Sequence, residues 1–532
     1  MTRLTAGLLI LCGLTLPPRG AVAQTAATRA RTVQGLEQHV VNGKLRLMIS
    51  DAVRLMLLNN SDVRIDQQSV EQARNSVTRA HSPFDALLNS AFSANRQTTP
   101  TFSQLSGAPT LSSLLQDTQV GFQKTFAPGT LFQSSLSTSR TSTNSVYNFF
   151  NPSLLSELNF SLTQPLLRNR GIFVNRAPIL IAQRDLAQSE AQFRQQINDA
   201  IQLVVRQYWQ VVLDRENLDV LTQSYKAAQA SYDHDQRALQ LGALSPLDIY
   251  QSEAEVASRK LAVIRAQYAV KQDEDQLRMT LGADLDPAYA NLDLELTESP
   301  KPSEPLVLVD PDVAVRDALG HRPDLAALQH QLEGSELYVR LSRNGLLPNL
   351  QLSAQYSSSG LGGNQFSSTN AQTLIARGGL GDALSQVFGF GFPSYGVTLQ
   401  LNFPLKNHAA EADLADARVR RERTLYQIRR TQQQVRLDVE NAVNQLDQSK
   451  LSITAAEAAR DLTEKNVEAQ QRKYELGSGL IFLVLQAQTQ LAQAEQSLVQ
   501  AQVNYQLAVV ALDHATGGLL DHYQVQISQA NP

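Results

Sequence analysis

Histidine, cysteine and carboxylate side chains, which carry most enzymatic chemistry, show no catalytic spacing in this sequence. The eight histidines are scattered, no two of them are four positions apart, and a single cysteine is present. A zinc site is therefore not expected. A G-x-x-x-x-G-K phosphate loop and a G-x-S-x-G nucleophile elbow do not occur in the sequence either. We expect a protein that is not an enzyme and that uses no cofactor or metal.

Composition and charge limit the classes of protein to which the chain could belong. The chain has 532 residues, of which 42% are hydrophobic and 18% charged, as in ordinary folded proteins. Its net charge of −4 argues against nucleic acid as a partner, because nucleic-acid binding requires a basic surface that displaces counterions from phosphate. After residue 24 no run of 18 apolar residues appears, so no transmembrane helix is expected.

The first 23 residues have the pattern of a secretory signal peptide. Arg3 provides the positive start, and Leu4 to Leu16 form an apolar segment that is too short to cross a bilayer as a helix. Small residues before position 24 predict cleavage after Ala23. An uncleaved membrane anchor is the alternative.

Export agrees with the use of cysteine. Cys12 is the only cysteine and lies inside the predicted signal, preceded by Leu11 rather than the small residue that lipidation needs. The mature chain would contain no cysteine, which suits an oxidising compartment. Residues 24–43 are interpreted as an N-terminal extension. An exported chain without a transmembrane helix is periplasmic, secreted or inserted in the outer membrane as strands.

The sequence repeats itself at a spacing of roughly 240 to 265 residues. Asn60-Ser-Asp62 resembles Arg322-Pro-Asp324, and the segment that ends at Pro165 resembles the segment that ends at Pro404. The predicted organisation is a first repeat over 44–283, an acidic, proline-rich linker without regular structure over 284–311, a second repeat over 312–517 and a C-terminal tail over 518–532.

Each repeat contains a helix too long for a globular domain. Residues 175–241 and 409–475 contain no glycine, their only proline is Pro178, and their apolar residues form one stripe, so each predicts a rod of roughly 100 Å. A shorter helix with a heptad seam follows, which in the first repeat runs from Tyr250 to Tyr268. A first helix over about 45–80 would lie in line with that shorter helix and complete the cover of the long one.

Between the helices the periodicity changes to two. Leu158, Phe160 and Leu162 alternate with polar residues, as do the apolar residues of 350–356 and 397–403. One apolar and one polar face suit either a membrane barrel with a wet interior or an ordinary half-buried sheet. We expect four strands per chain, with several chains needed to close a barrel. Prolines mark the four helix-to-strand junctions: Pro83, Pro165, Pro348 and Pro404.

The first repeat carries an insertion near 98–155. It contains a predicted hairpin, with strands over 118–126 and 131–139 around Ala127-Pro-Gly129. The hairpin would either extend beyond the membrane or widen the barrel, and we favour the extension. Gly360–Gly363 and Phe388–Phe392 have the composition of exposed loops.

The order of these segments resembles the TolC-like outer-membrane efflux proteins over nearly the whole mature chain. The similarity is carried by Val53 with Asn60-Ser-Asp62, by Ser161–Leu167 and Leu401–Lys406, by Tyr208-Trp209, and by the two tips Leu239–Glu255 and Tyr474–Leu491. The resemblance implies an α+β membrane protein with two internal repeats. A protein of this family would form a trimeric β-barrel of twelve strands, four per chain, which a long antiparallel α-helical coiled-coil barrel continues in the periplasm.

The resemblance also implies partners. They are two further copies in a homotrimer, a periplasmic adaptor (membrane fusion) protein, an inner-membrane pump of the RND, ABC or MFS class, and outer-membrane lipid. Such a channel conducts substrates passively and needs no cofactor. A structural periplasmic coiled-coil protein that bridges envelope layers is the alternative function.

The resemblance places a periplasmic gate at the helix tips. Asp248 matches the family's tip aspartate and Tyr474 matches the tyrosine that helps to latch it. The latch arginine corresponds to Gly479, and the two constricting aspartates correspond to Leu483 and Gln486. We therefore expect a gate without a carboxylate ring, although Leu483 also fits a coiled-coil packing position.

The adaptor is expected to contact the two tips, where small residues would let another helical hairpin approach. Helix capping is an equally good explanation for each glycine alone. The tip residues are Gly242, Ser245, Pro246, Gly477 and Gly479.

Overall fold

A computed structural model describes residues 34–102, 106–241, 246–302, 308–367 and 373–525, with only the backbone of 246–248. The predicted signal peptide and its cleavage site lie outside these residues. The helices are α1 Ile49–Asn59, α2 Ser61–Ala80, α3 Ile172–Gln240, α4 Pro246–Leu281, α5 Pro287–Ala290, α6 Pro311–His321, α7 Pro323–Gly345, α8 Leu380–Phe388, α9 His408–Glu475, α10 Ile481–Thr516 and α11 Leu519–His522. The strands are β1 Val40–Val41, β2 Lys44–Leu47, β3 Leu87–Pro100, β4 Thr110–Thr125, β5 Leu131–Thr143, β6 Phe150–Pro165, β7 Asp293–Leu296, β8 Asn349–Phe366, β9 Leu374–Ala376 and β10 Phe392–Asn402.

The predicted long helices are confirmed. α3 has 69 residues and α9 has 68, and each is followed by a helix of 36 residues, α4 or α10. Within the described part of the chain, none of the helices is both long and apolar enough to cross a membrane. The chain divides into two compact units: the first takes residues up to 65, 196–321 and from 435 onward, and the second takes 66–195 and 322–434.

The first unit has its core where α1 and a small sheet pack on α3. The Tyr208 hydroxyl donates to the carbonyl oxygen of Leu47 at 3.1 Å and is fully buried. The single predicted helix over 45–80 is wrong, because residues 44–47 form β2 and the helix breaks at Asn60. There the backbone turns extended, and the Asn60 side chain accepts from the amide of Asp62 at 2.9 Å as an N-cap.

The predicted linker over 284–311 is also more ordered than expected. It contains α5 and β7, and β7 pairs in parallel with β2 from Lys44 opposite Asp293 to Leu47 opposite Leu296. β1 completes this three-stranded sheet on the other side of β2. The alternation in β7 is only four residues long, and its partner lies some 250 residues away, so composition alone indicated an unstructured segment.

The second unit contains a seven-stranded sheet in the order β10-β8-β6-β5-β4-β3, with β9 paired to β8. The long strands are all antiparallel to their neighbours. The register places one face apolar, for example Phe160 opposite Tyr356 and Tyr356 opposite Tyr395. The other face is polar, for example Ser161 opposite Gln355. Both faces therefore continue from strand to strand.

Four strands per chain is wrong, because the sheet has six long strands. The predicted hairpin is present as β4 and β5, but it does not extend beyond the sheet as we favoured. β4 pairs with β3 from Leu87 to Pro100, and β5 pairs with β6 from Leu131 to Thr141. The hairpin is therefore inserted between β3 and β6 along nearly their whole length.

A short helix, α8, covers the apolar face at one end of β8. The Ser358 hydroxyl donates to the carbonyl oxygen of Val387 at 2.8 Å, and Ser358 is fully buried. A Cβ on Gly360 would lie 2.1 Å from the carbonyl oxygen of Ala383, and one on Gly362 would lie 2.2 Å from that of Gly379. The prediction of an exposed loop at 360–363 is wrong, because these glycines belong to β8 and admit α8.

The four marked prolines all lie where a helix and a strand meet. Pro83 is in the one-turn 3-10 helix Ser82–Phe84 between α2 and β3, and Pro165 is the last residue of β6. Pro348 lies between α7 and β8, and Pro404 follows β10. A missing N–H is tolerated at these positions, because regular hydrogen bonding ends there.

Candidate functional site at the helix tips

The turn between α9 and α10 depends on its two glycines. Gly477 has φ +73°, and the amide of Ser478 donates to the carbonyl oxygen of Lys473 at 3.0 Å, as in a left-handed helix cap. A Cβ on Gly479 would lie 2.8 Å from the backbone nitrogen of Tyr474. Both residues thus have a structural role, whatever else they contact.

Tyr474 joins the end of α9 to the neighbouring helices. Its ring packs against a buried apolar cluster of α10 that consists of Ile481, Val484 and Leu485. Its hydroxyl donates to Asp235 Oδ1 of α3 at 2.8 Å. The residue predicted from the resemblance as part of a latch is therefore a bridge between α9, α10 and α3.

Asp235 is the buried acceptor at this point. Its side chain has no exposed area, and it accepts a second, short hydrogen bond from the hydroxyl of Ser252 on α4. His234 Nδ1 lies 3.5 Å from Asp235 Oδ1. A buried carboxylate is costly without partners, and the two hydroxyl donors compensate it.

A second buried polar group, Arg259 of α4, lies further from the tip. It is 7% exposed and donates to Glu255 Oε1 at 2.8 Å and to the carbonyl oxygens of Ser224 and Leu485 at 3.0 and 3.1 Å. It also donates to Thr489 Oγ1 at 3.0 Å. One guanidinium thus connects α3, α4 and α10.

Sequence reasoning missed Asp235, Ser252 and Arg259. The helical stripe predicted for α4, which includes Tyr250 and Tyr268, is exposed in the chain, with these two side chains 67% and 71% exposed. The buried face of α4 is instead marked by Ser252 and Arg259. Polar residues at a helical spacing look like a solvated face, so the sequence carried no signal for this orientation.

The predicted gate residues of α10 face away from the apolar cluster. Leu483 is 39% exposed and Gln486 is exposed, whereas Val484 and Leu485 are buried. Leu483 is not a packing position within one chain. Pro246 is the first residue of α4. The side chain of Asp248 and the whole of Gly242 and Ser245 lie outside the described part of the structure.

Two carboxylates meet between α3 and α4. Burial, and after it the neighbouring carboxyl group of Asp273, raise the pKa of Asp214 to about 7, while Gln210 Nε2, which donates to Asp214 Oδ1 at 3.2 Å, opposes the rise. Beside them Arg215 Nη2 donates to Glu274 Oε1 at 2.5 Å. Among the described residues, no group of three or more His, Cys, Asp or Glu side chains is arranged to hold a metal ion.

Substitution Tyr474→Phe should loosen the tip. Removing the hydroxyl leaves buried Asp235 with one hydroxyl donor fewer, which should cost about 1–3 kcal/mol. We expect faster amide hydrogen exchange at the end of α9 and the start of α10. Tyr426→Phe, on an exposed ring of α9, is the matched control and should leave exchange unchanged. Equal exchange in both variants would contradict the bridging role.

Substitution Asp214→Asn should make the protein less sensitive to pH. The folded protein holds the Asp214 proton up to about pH 7, whereas an unfolded aspartate releases it near pH 4. The free energy of unfolding of the native chain therefore falls as pH rises from about 4 to about 7. We expect the variant to melt a few degrees above the native chain at pH 8 and at nearly the same temperature at pH 4. Asp219→Asn, on an exposed position of α3, keeps Asp214 and should melt at the same temperature as the native chain at both pH values.

The amino-acid sequence is similar to those of known bacterial outer-membrane proteins. The sequence is 24% identical over 332 residues to the toluene efflux pump outer membrane protein TtgC of Pseudomonas putida, which covers 62% of each chain. It is 23% identical over 359 residues to the outer membrane efflux protein BepC of Brucella suis, which covers 66% of this chain and 70% of that protein. The matched segment thus spans less than two thirds of the length of TtgC.

Solved structures share the fold. The CmeC outer membrane channel of Campylobacter jejuni gives a TM-score of 0.64 at 16% identity, over 88% of this chain and 85% of that chain. The outer membrane protein VceC of Vibrio cholerae gives 0.62 at 17% identity, over 88% and 96%. The sequence profile of the outer membrane efflux protein family matches residues 123–283 and 314–518. This match covers more than half of the sequence, and the chain therefore belongs to the outer membrane efflux protein family.

Proposed function

We propose that the protein is the outer-membrane channel subunit of a tripartite efflux or type I secretion system. It would conduct substrates passively from the periplasm to the exterior and would catalyse no reaction. The observation that carries the proposal is the sheet of the second unit, in which a mainly apolar and a mainly polar face keep the same phase through six long strands. Such a sheet suits a wall between lipid and water.

The free edges of this sheet support assembly from several copies. β3 is exposed along its whole length and β10 at every residue except Gly396, with Phe92 67%, Tyr395 82% and Val397 74% exposed. Unpaired backbone groups cannot remain in lipid, so each edge needs another strand. Pairing of β10 with β3 of the next copy would satisfy both edges around a closed ring, in line with the homotrimer that the family resemblance implies.

The helices of the first unit support side-by-side contact of copies as well. The stripe of α4 that includes Tyr250, Leu261, Ile264 and Tyr268 is between 41% and 71% exposed in the single chain. A heptad seam of this kind is normally buried against a helix. We propose that it packs on a neighbouring copy and that the helices together line a periplasmic passage.

Partners follow from this assembly. A passive channel needs a periplasmic adaptor protein and an inner-membrane pump of the RND, ABC or MFS class, and its apolar sheet face needs outer-membrane lipid. We propose the two tips as the adaptor contact, at Gly242, Ser245 and Pro246 on one side and Gly477 and Gly479 on the other. Leu483 and Gln486 would line the gate, with Asp248 and Tyr474 restraining it.

The channel assignment is tested on the purified mature chain. We expect detergent-solubilised trimers from the outer-membrane fraction that resist heating, dissociate on boiling and conduct ions in planar bilayers. A monomer that is soluble in the periplasm without detergent and gives no conductance would overturn the proposal and favour the bridging coiled-coil protein.

Substitution Gln486→Asp should make the channel sensitive to divalent cations. A carboxylate at this exposed position would form a ring of three charges in the trimer and bind cations where the native gate offers only amides. We expect block of single-channel current by millimolar divalent cations on the periplasmic side. Gln471→Asp, an exposed position of α9 near the same tip, should add the charge without the block. Equal currents in both variants would remove Gln486 from the gate.

A further inference from the structure

The inserted hairpin, β4 with β5, continues the apolar face of the sheet. Val120 lies opposite Leu136, and Leu136 lies opposite Leu158 of β6. In the adjacent row of the same face, Ser134 of β5 lies between Phe122 and Phe160, so two of the three side chains in that row are aromatic. An extramembrane hairpin would have no reason to carry this face in phase with β6.

The hairpin also continues the polar face. Gln123 lies opposite Gln133, and Gln133 lies opposite Ser161. Gln133 Nε2 donates to Gln123 Oε1 at 3.2 Å, and the Ser161 hydroxyl donates to Gln133 Oε1 at 3.3 Å. A row of amide and hydroxyl groups therefore crosses β4, β5 and β6 without a charge.

Two basic residues frame the apolar face of the hairpin. Lys124 lies at one end, and Arg140 lies at the other, where its Nη1 donates to Gln116 Oε1 at 2.6 Å. The distance along β4 between the Lys124 and Gln116 rows is about 27 Å, and no charged residue lies on this face between them. A strand that long, tilted as in a barrel, matches the apolar band of a membrane wall, with basic groups at its borders.

The turn of the hairpin is fixed at the end of the sheet from which α3 begins. The amide of Gly171 donates to the carbonyl oxygen of Pro128 at 3.1 Å, and Thr130 and Gln164 form a short hydrogen bond. Gly129 has φ +93°, and a Cβ there would lie 2.7 Å from the carbonyl oxygen of Asn169. The turn of the hairpin thus lies at the level where β3 begins and β6 ends.

We infer that the hairpin is a permanent part of the membrane wall, so that each chain supplies six strands and the trimer closes an eighteen-stranded barrel. This inference rests on the proposed channel function. Barrel diameter grows nearly in proportion to strand number, so the outer-membrane passage would be about one and a half times as wide as that of a twelve-stranded channel. Its added lining is mostly amide and hydroxyl, with the single carboxylate of Asp117 on the same face of β4, which suits bulky, hydrated solutes.

Distances between spin labels in the trimer test this wall. A label on Thr398→Cys, on the polar face of β10, reports the separation of three equivalent strands, and the mature chain should offer no other thiol because Cys12 lies in the predicted signal peptide. From strand spacing and tilt we expect about 30 Å between labels for eighteen strands and about 20 Å for twelve. A distance near 20 Å in full-length trimers would overturn the inference while leaving the channel function intact.

Deletion of residues 110–143 provides the matched comparison. It removes both strands of the hairpin, so that β3 and β6 become neighbours in the sheet. They run antiparallel, and their apolar and polar faces keep their orientation. We expect the deletion trimer to show a label distance about 10 Å shorter than the full chain and a lower exclusion limit for neutral polymers entering from outside. The distance between labels on Gln471→Cys, at the helix tip, should be the same with and without the hairpin. Equal Thr398 distances with and without the hairpin would refute the six-strand wall, and absence of trimers from the full chain would refute the proposed function instead.

Discussion

The hydrogen-bonding capacity of the backbone at the two edges of the large sheet is the constraint on which the rest depends. Inside the sheet every long strand has at least two neighbours, but β3 and β10 each have one, and nearly all their residues are exposed. In water such edges invite aggregation, and in lipid they are not tolerated. In the proposed channel a single chain would be incomplete, and further copies would cover its two sheet edges and its exposed helical stripe.

The tips solve a different physical problem. Two helix hairpins must be held at their ends, where coiled-coil packing is weakest, and the buried groups there are polar. Asp235 accepts from two hydroxyls, and Arg259 reaches three helices. Each group is expensive to bury alone and well compensated by its partners, so the arrangement specifies one alignment of the helices more strongly than an apolar contact would.

The sequence predicted the long helices, the alternating strands and the junction prolines because each of these is a local pattern. It did not predict that β7 pairs with β2 or that β4 and β5 lie between β3 and β6, since alternation does not encode which strand is the neighbour. The same limit applies to the tips. Tyr474 was identified through the resemblance, but its acceptor Asp235 lies 239 residues away, and nothing local distinguishes it from a solvated aspartate.

Arg259 donates to the main-chain carbonyl oxygens of Ser224 and Leu485. The use of main-chain acceptors affects which substitutions the neighbouring helices can accept. Every residue type has a carbonyl oxygen, so these two hydrogen bonds tolerate substitutions at both positions. They require only that α3 and α10 keep their orientation relative to α4. The arginine itself has no such freedom, because lysine lacks the planar fork that serves several acceptors at once. Variation should therefore accumulate around this residue while it stays fixed.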